Sequence, residues 1–511
     1  MGSRKRLGAA ASACVAMAIF AGPAAALPIG IPTANPNSGT PPNRIVNGYQ
    51  LVKTAVGSDP LENPSGPITT FGRLSDDTAT EPDGNTYLVL PGGVGGPTPG
   101  YDYGHHFVFQ GHENGADLAY ITRVNLDVSD PAHRITLLTP TGADGLTHFS
   151  ALDGTTWDPF TRTLLFTQEN GPDGGVVELK PDGSALHTLD GVFGKGSYEG
   201  IRVDDHGNLI VDEDEGGTTL HTDPSDPSSP TGPRQPNSFV YRFVPNDRSD
   251  LSAGGVLQAL QVTVNGTPVI FHPNDPVGDT FSSQGQLKIN TPGTSWPVRW
   301  VTLHNTATDG FSPFDANVAA KAAGATPFKR PENGGFQPGS DFRSYVFDAT
   351  GDTDADVALA PAVVARGGWA ALYKLHFNTS GRGGRISIAV LGNSVHSSFD
   401  TLAFASDNTF LTGEDRGNTL HEQLNALDSV WRYRLGDANG QRFIALGRDP
   451  ISLSEGEDNE PTGVEVGNGN DTPAGMKGTL ASLTKARSFV TQQHGQNMLW
   501  EIVRTFARQP G

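Results

Sequence analysis

The sequence has a single cysteine, Cys14, and it lies in an N-terminal apolar segment that we expect to be removed. The remaining chain then has no thiol, which excludes a disulfide, a cysteine-ligated zinc site and a cysteine nucleophile. Basic residues are also scarce, because 35 Lys and Arg stand against 55 Asp and Glu and give a formal net charge of −20. This balance argues against a nucleic-acid-binding protein, which needs a basic face. After the N-terminal segment no apolar run reaches about 18 residues, so we expect no stable insertion into a membrane.

The first 26 residues have the features of an export signal. The basic run RKR at 4–6 precedes a short apolar stretch, and three alanines at 24–26 offer a cleavage site. The basic run is similar to a twin-arginine signal, so the Tat and Sec routes both stay open. We therefore predict a signal peptide at 1–26, an extended segment at 27–45 and one domain at 46–505, in a secreted or periplasmic protein that is a monomer.

Turn-forming residues are abundant, with 64 glycines and 38 prolines. Such numbers favour many short strands over long helices, and the sequence is typical of an all-β fold. One segment, DANVAAKAAGA, reads as a helix that Asp315 caps and Gly324 ends.

One pattern recurs along the chain: an acid, a short apolar strand, a polar turn, a second strand and another acid. Its copies start at Asp153, Glu199 and Asp400, and a looser copy starts at Glu332. The second acid follows 14 to 16 residues later, and these second acids are Glu169, Glu213, Glu414 and Asp348. Two strands of about five residues and a turn form a hairpin of this length, which brings both acids to the same edge. Antiparallel units repeating every 40–50 residues predict a single β-propeller with loop insertions.

The acids would then converge on one mouth of the propeller. The acids of any one copy, taken alone, indicate only that the chain turns there, because Asp and Asn are common in turns. Four pairs at matched spacing favour a metal site, because crowded carboxylates raise each other's pKa unless cations neutralise them. Ca²⁺ takes about 6–8 oxygen ligands and is the cation that we expect. Four histidines near the predicted strand ends, His105, His106, His112 and His494, are further candidates for metal binding or acid–base chemistry.

Five stretches of the chain together resemble the PhoX family of secreted alkaline phosphatases. They are SFVYRFVP with LSAGGVLQALQV, TPFKRPENGGF, DTLAFASDNTFLTGEDRGN, EPTGVEVGNG and FVTQQHGQNMLW, and they occur in the family's order. The resemblance implies a six-bladed β-propeller, Tat export and a phosphomonoesterase site at the mouth of the channel. In the family that site holds several Ca²⁺ ions and a pair of irons.

The resemblance also assigns roles to individual residues. It makes Glu199 a metal ligand, although Tyr198 replaces the histidine that precedes this glutamate in the family. It makes Arg330 the residue that contacts phosphate and Glu332 a metal ligand beside it, and we expect these two to be the catalytic residues. It also implies metal ligation by two acidic pairs, Glu213 with Asp214 and Glu414 with Asp415, and by Asp400. With Glu169 from the repeat, these acids complete the expected set of metal ligands.

The chain departs from the family at one metal ligand. The family has an iron-ligating cysteine just before the strand that reads SALDGTTWDP, and Ser150 or Ala151 occupies its place. A hydroxyl or a methyl group cannot supply a soft thiolate ligand. The resemblance therefore extends to calcium, whereas iron or another transition metal is left open.

The expected function is hydrolysis of a small phosphorylated substrate, a phosphate monoester. Metal-assisted attack of water would need no side-chain nucleophile, and Arg330 would clamp two phosphate oxygens. Two alternatives stay open, a calcium-dependent lactonase or esterase on a similar propeller and a non-catalytic calcium-binding propeller.

Overall fold

The computed structural model describes residues 30–352, 359–470, 472–473 and 486–505, with the side chains of 418 and 419 excepted. The signal-peptide prediction and Cys14 lie outside these residues. Strands dominate the described chain and the helices are short. Within the described ranges, no helix has the length and apolar character needed to cross a bilayer.

Four short strands come first, and the first two of them join sheets formed by the C-terminal part of the chain. They are β1 (Arg44–Ile45), β2 (Tyr49–Val56) and the hairpin β3 (Pro60–Ser65) with β4 (Ile68–Thr70). Two antiparallel four-stranded sheets follow. The first contains β5 (Glu81–Val89), β6 (His106–Glu113), β7 (Tyr120–Asn125) and β8 (Ile135–Leu137). The second contains β9 (Leu152–Asp158), β10 (Thr163–Gln168), β11 (Gly175–Leu179) and β12 (His187–Thr188).

The middle of the chain forms a ten-stranded sheet in the order β13-β14-β17-β18-β20-β24-β23-β22-β21, with β19 paired to β18. Its first part contains β13 (Tyr198–Val203), β14 (Leu209–Glu213), β17 (Val240–Pro245), β18 (Gly255–Val264), β19 (Thr267–Pro268) and β20 (Trp296–Asn305). Its second part contains β21 (Gly334–Phe336), β22 (Ser344–Ala349), β23 (Ala371–Phe377) and β24 (Gly383–Leu391). The strands β15 (Thr219–His221) and β16 (Thr231–Arg234) form a separate hairpin.

The last two sheets each take a strand from the N-terminal part of the chain. The strands β25 (Phe399–Phe404), β26 (Thr409–Glu414), β27 (Ser429–Arg434) and β28 (Gln441–Ala445) are joined by β1. The strands β29 (Glu460–Gly467), β30 (Arg487–Gln493) and β31 (Met498–Arg504) are joined by β2, which pairs antiparallel with β31. The strand β2 therefore completes the last sheet, and the C-terminal end of the described chain lies beside Gly48, whose carbonyl accepts from the Thr505 N–H at 2.9 Å.

Short helices occupy the connections. They are α1 (Asp190–Phe193), α2 (Gln284–Ile289), α3 (Thr306–Asp309), α4 (Ala316–Ala322), α5 (Pro361–Val364), α6 (Gly417–Leu424) and α7 (Pro450–Glu455). The prediction of a helix after Asp315 is confirmed, because the Asp315 carboxylate accepts a hydrogen bond from the Val318 N–H at 2.8 Å and caps α4.

Six strands form the inner wall of the molecule. Each one contacts the next in the order β5, β9, β13, β21, β25 and β29, and β29 contacts β5 again. Apolar side chains fill the space between neighbouring sheets, as Phe107 and Phe109 of the first sheet do against Trp157 and Phe166 of the second. The arrangement is propeller-like and mostly β, as the repeat predicts.

Glycine permits the inner strands to approach one another backbone to backbone. A β-carbon at Gly84 would lie 2.6 Å from the Asp153 carbonyl oxygen, and one at Gly200 would lie 2.7 Å from that of Glu332. A real β-carbon cannot occupy either position unless the neighbouring strand moves. The absence of a side chain at these positions thus sets the width of the channel.

We expect Gly84→Ala to destabilise the protein by roughly 1–3 kcal/mol, because overpacking against a rigid backbone cannot be relieved by a rotamer change. Gly92→Ala is the matched control, since a β-carbon there meets nothing within 4 Å. Thermal or denaturant unfolding of both variants measures the difference. Equal stability of the two variants would contradict the close approach of the inner strands.

Candidate metal centre

The hairpins of the repeat bring their acids to one end of the inner strands. The Ala151 carbonyl accepts from the Glu169 N–H at 2.9 Å, and Ser197 and Ser398 accept from Asp214 and Asp415 in the same way, both at 2.8 Å. The first acid of each hairpin stands two residues after the accepting residue. Both ends of every hairpin therefore lie on the same edge, as their spacing predicts.

The first acids of five hairpins occupy equivalent positions. In the fourth hairpin the Arg330 carbonyl accepts from the Thr350 N–H at 2.9 Å, and in the first hairpin Glu81 pairs with Glu113. The equivalent acids, which we call the acidic mouth, are Asp83, Asp153, Glu199, Glu332 and Asp400.

Carboxylates of the acidic mouth form three overlapping groups with acids from the second strands. In each group one carboxylate oxygen per residue lies within 4.8 Å of the others. The groups are Asp83 with Glu113 and Asp153, Asp153 with Glu169 and Glu199, and Glu199 with Asp214 and Glu332. Because Asp153 and Glu199 each belong to two groups, the three form one continuous arc around the channel.

Burial and crowding make the ionisation of these carboxylates less favourable than that of exposed carboxylates. Burial, and then the neighbouring charges, raise the pKa of Asp83 to about 7 and that of Glu169 to about 8. The same causes raise the pKa values of Asp153, Glu199 and Asp400 well above their usual range. Cations would remove this penalty by favouring the charged form.

Two buried oxygens of the acidic mouth lack a hydrogen-bond partner among the described residues, Asp153 Oδ1 and Asp400 Oδ2. A buried carboxylate oxygen without a partner is costly. The ligands of the three groups are all carboxylate oxygens, and such hard ligands suit Ca²⁺ or Mg²⁺ rather than metals that prefer sulfur. The residues present therefore fit the predicted calcium.

Among the described residues, Arg330 is the basic side chain that pairs with carboxylates of this arc. Its Nε donates to Asp214 Oδ2 at 2.7 Å, its Nη2 lies 2.6 Å from the same oxygen, and Nη2 is 3.7 Å from Glu332 Oε1. Arg330 has a positive φ of 56°, a backbone conformation that is rare for residues other than glycine. The backbone at this point is therefore shaped to bring the guanidinium, with 17% of its side chain exposed, to the acidic mouth.

Four of the predicted ligands lie outside the three groups, and two of these, Glu213 and Glu414, are bonded elsewhere. The Glu213 carboxylate accepts from the Phe239 N–H (3.0 Å), the Tyr241 hydroxyl (2.8 Å) and the Asn317 amide (3.1 Å). The Glu414 carboxylate accepts from Arg416 Nη2 at 2.6 Å. Successive residues of a strand point to opposite faces, so Asp214 and Asp415 face the channel while the preceding glutamates face away.

Asp400 and Asp415 lie outside the three groups, on the hairpin that follows that of Glu332 around the ring. Burial, and then Asp415 and Asp400, raise the pKa of Glu460 well above its usual range, so the three carboxylates are neighbours. The His494 ring lies 3.9 Å from the Glu460 carboxylate. The channel is therefore acidic on this part of the ring as well.

Sequence reasoning did not include Asp83 or Glu113 among the candidate ligands, although both belong to one of the three groups. The available signal was an acid followed by a glycine near the start of a strand. Three inner strands have this pair, at 83–84, 153–154 and 199–200. The signal has a physical basis, because the glycine permits the close approach of the next inner strand.

The positions that depart from the family pattern are not metal ligands in this geometry. The Ser150 hydroxyl donates to Asp117 Oδ1 at 3.2 Å, and the Tyr198 hydroxyl is buried and donates to the Phe193 carbonyl at 2.7 Å. Among the candidate histidines, the buried His112 forms a hydrogen bond with the Thr122 hydroxyl. His106 forms a hydrogen bond with the Asp127 carboxylate, and it lies at the end of β6 opposite Glu113. Neither histidine reaches the acidic mouth.

Comparison with known proteins supports the resemblance that the motifs indicated. The family model described as Alkaline phosphatase PhoX matches residues 230–365. The structure of Pseudomonas fluorescens PhoX in complex with vanadate, a transition state analogue, has a TM-score of 0.55 at 15% identity and covers 93% of this chain and 98% of that chain. TolB from Acinetobacter baumannii has a TM-score of 0.29 at 9% identity, covering 83% and 64%, which is too low to carry an argument. A search of curated proteins gave no match.

We expect the protein without divalent cations to lose stability as the pH rises. Folding raises the carboxylate pKa values above their unfolded values of about 4, so the folded state binds more protons. The contribution of these carboxylates to the free energy of unfolding is therefore greatest below about pH 4. It decreases as the pH rises and is lost once the pH passes the folded-state pKa values of about 7 and 8. Melting curves in EDTA should shift to lower temperature by several degrees between pH 5 and pH 8.

Added calcium should largely remove this shift, because ions that bind only the folded state stabilise it. Asp153→Asn should also make the cation-free protein less sensitive to pH, since the amide cannot ionise. A melting temperature in EDTA that is independent of pH would contradict the buried acidic arc.

Proposed function

We propose that this PhoX-like chain is a metal-dependent phosphatase that hydrolyses phosphate monoesters at the acidic mouth. The observation that carries the proposal is the combination of a continuous arc of buried carboxylates with one arginine beside it. The arc supplies hard ligands for cations, and the arginine supplies a planar donor for a phosphoryl group. The family match and the fold shared with P. fluorescens PhoX support the same assignment.

The residues that would hold the cations are those of the three groups, namely Asp83, Glu113, Asp153, Glu169, Glu199, Asp214 and Glu332. Asp400 and Asp415, on the next hairpin around the ring, complete the proposed set. We leave out Glu213 and Glu414, whose carboxylates are engaged elsewhere. Calcium is the proposed ion because the site is built of carboxylates alone.

The positions present do not fit a thiolate-bound iron. Ser150 and Ala151 stand where the family has its cysteine, and the described residues of the three groups include no sulfur or imidazole ligand. We therefore base the proposal on hard cations. Metal analysis of the purified protein should find calcium in stoichiometric amount and iron below it.

Bound cations would supply Lewis-acid activation of water and neutralise the charge of the ester. The chain's own contribution is positioning. Arg330 orients the phosphoryl group through charge-assisted hydrogen bonds, and Asp214 and Glu332 hold the guanidinium in place. Glu332 thus has two roles, as a cation ligand and as a neighbour of Arg330.

The proposal includes the architecture and the location that the resemblance implies. The inner ring of six strands supports six blades, with the ten-stranded sheet counted as two, because β13 and β21 both belong to the ring. Export by a signal peptide would place the enzyme in the periplasm or the medium, where calcium is plentiful.

We expect Arg330→Lys to lower kcat/KM for p-nitrophenyl phosphate about 10–100-fold. Lysine keeps the charge but loses the planar fork and one charge-assisted hydrogen bond, worth roughly 1.5–3 kcal/mol. Calcium content should stay near wild type. If Arg330 has only a structural role, the substitution should instead lower the melting temperature and leave any turnover unchanged.

We expect Glu332→Gln to lower the calcium content, because the amide removes a ligand charge without removing bulk. Glu213→Gln is the matched control, since that carboxylate is equally buried but lies outside the three groups. Metal analysis of both variants after dialysis measures the difference. Equal calcium loss in the two variants would contradict the assignment of the arc.

The phosphatase proposal itself is tested with wild-type protein saturated with calcium. Turnover of phosphate monoesters and no turnover of lactones would support it. Turnover of lactones alone would favour the lactonase alternative, and no turnover of either would favour a binding propeller.

A further inference from the structure

A second cavity lies at the end of the channel opposite the acidic mouth. Its volume is about 190 Å³, below the roughly 300–1,000 Å³ of sites for drug-sized ligands. The residues three positions after the acids of the acidic mouth line it, and these are Thr86, Thr156, Arg202, Gly335 and Ala403. At about 3.3 Å per residue, the cavity begins about 10 Å below the acids.

A register shift in the inner strands turns these residues toward the channel. The pairing shifts between Pro82 and Asn85 in β5, between Tyr198 and Ile201 in β13, and between Thr462 and Glu465 in β29. Such a bulge changes which face the following residues occupy. The cavity lining is therefore fixed by the inner strands themselves.

Only two of the residues lining this cavity are charged, Arg202 and Glu465. Arg202 lies on β13 and Glu465 on β29, and these strands are three steps apart in the ring of six. The two charges therefore lie on opposite walls of the channel. The structure has no ion pair between these two described side chains. Burial raises the pKa of Glu465 to about 7, and the charge of Arg202 acts against this rise.

Neither charge is fully compensated by the protein. Arg202 Nη1 donates to two carbonyls, those of Thr155 at 3.0 Å and Ile201 at 2.8 Å, which hold the guanidinium against its own wall. Arg202 also acts against the rise in the pKa of two other buried acids, Asp212 and Asp348, but forms no ion pair with either. Asp212 accepts from the Tyr345 hydroxyl and Asp348 from the Asn333 N–H, both at 2.7 Å. Glu465 has no hydrogen-bond donor among the described residues. Both charged groups would gain from a partner of opposite sign within the cavity.

The rest of the wall is mainly apolar and aromatic. Trp157, Phe336, Phe342 and Phe404 line it together with neutral polar residues. Rings of this kind favour an apolar body, while the two charges favour a carboxylate on one side and an ammonium group on the other. A simple anion or cation would satisfy only one wall and would be repelled by the other.

We infer that this cavity binds a small zwitterion with an apolar body, of the class of the neutral amino acids. The carboxylate of the ligand pairs with Arg202, its ammonium group pairs with Glu465, and its side chain lies against the aromatic wall. This site is separate from the acidic mouth, and the inference does not depend on the proposed phosphatase function.

Isothermal titration calorimetry of the calcium-loaded protein tests the inference with L-leucine and L-phenylalanine as probes. Two analogues separate the charges, because N-acetyl-L-leucine lacks the ammonium group and L-leucinamide lacks the carboxylate. We expect saturable binding of the free amino acids and binding at least about 10-fold weaker for each analogue, since each loses one charge-assisted contact. No saturable binding of either amino acid, or equal binding of the analogues, would overturn the inference.

Variants locate the site. Glu465→Gln and Arg202→Gln should each weaken L-leucine binding by about 10–100-fold. Glu455→Gln is the control, because that carboxylate lies on α7, which contributes no residue to the cavity lining, and pairs with Arg73 at 3.3 Å. Unchanged affinity in Glu465→Gln would place the binding elsewhere and overturn the assignment. Should a variant fail to fold, the analogue series on the wild type still decides.

Discussion

The close approach of six inner strands is the constraint on which the rest of the structure depends. Glycines such as Gly84 and Gly200 allow one strand's backbone to lie against the next, so the residues before them are brought to one narrow opening. Those residues are acids, and their carboxylates cannot separate without opening the ring. The fold therefore concentrates negative charge at this opening, and in the part of the chain that the structure describes Arg330 is the basic residue that pairs with the arc.

This concentration links stability to function. Bound cations would offset the cost of ionising the buried carboxylates, and they would also reduce the repulsion between a phosphate monoester and a protein of charge −20. The same ions would stabilise the fold and perform the chemistry.

The channel has different chemistry at its two ends because of one feature of the strands. A register shift just below the acids, present in β5, β13 and β29, exchanges the face that these strands present to the channel. Above the shift the channel is lined by carboxylates, and below it by neutral side chains, aromatic rings and the two opposed charges of Arg202 and Glu465. A single inner ring can in this way hold two unrelated sites.

The sequence by itself determined the all-β class, the hairpins and the convergence of their acids, because strand periodicity, turn residues and spacing are local properties. It also determined the helix after Asp315, which depends on one capping side chain. Only the tertiary structure decided that Asp214 rather than Glu213 faces the channel, since that choice depends on where the second strand ends relative to its partner. The tertiary structure also decided that β2 pairs with β31 and that Arg202 lies opposite Glu465. Closure of the ring brings together residues that are hundreds of positions apart, and no local sequence pattern marks such pairs.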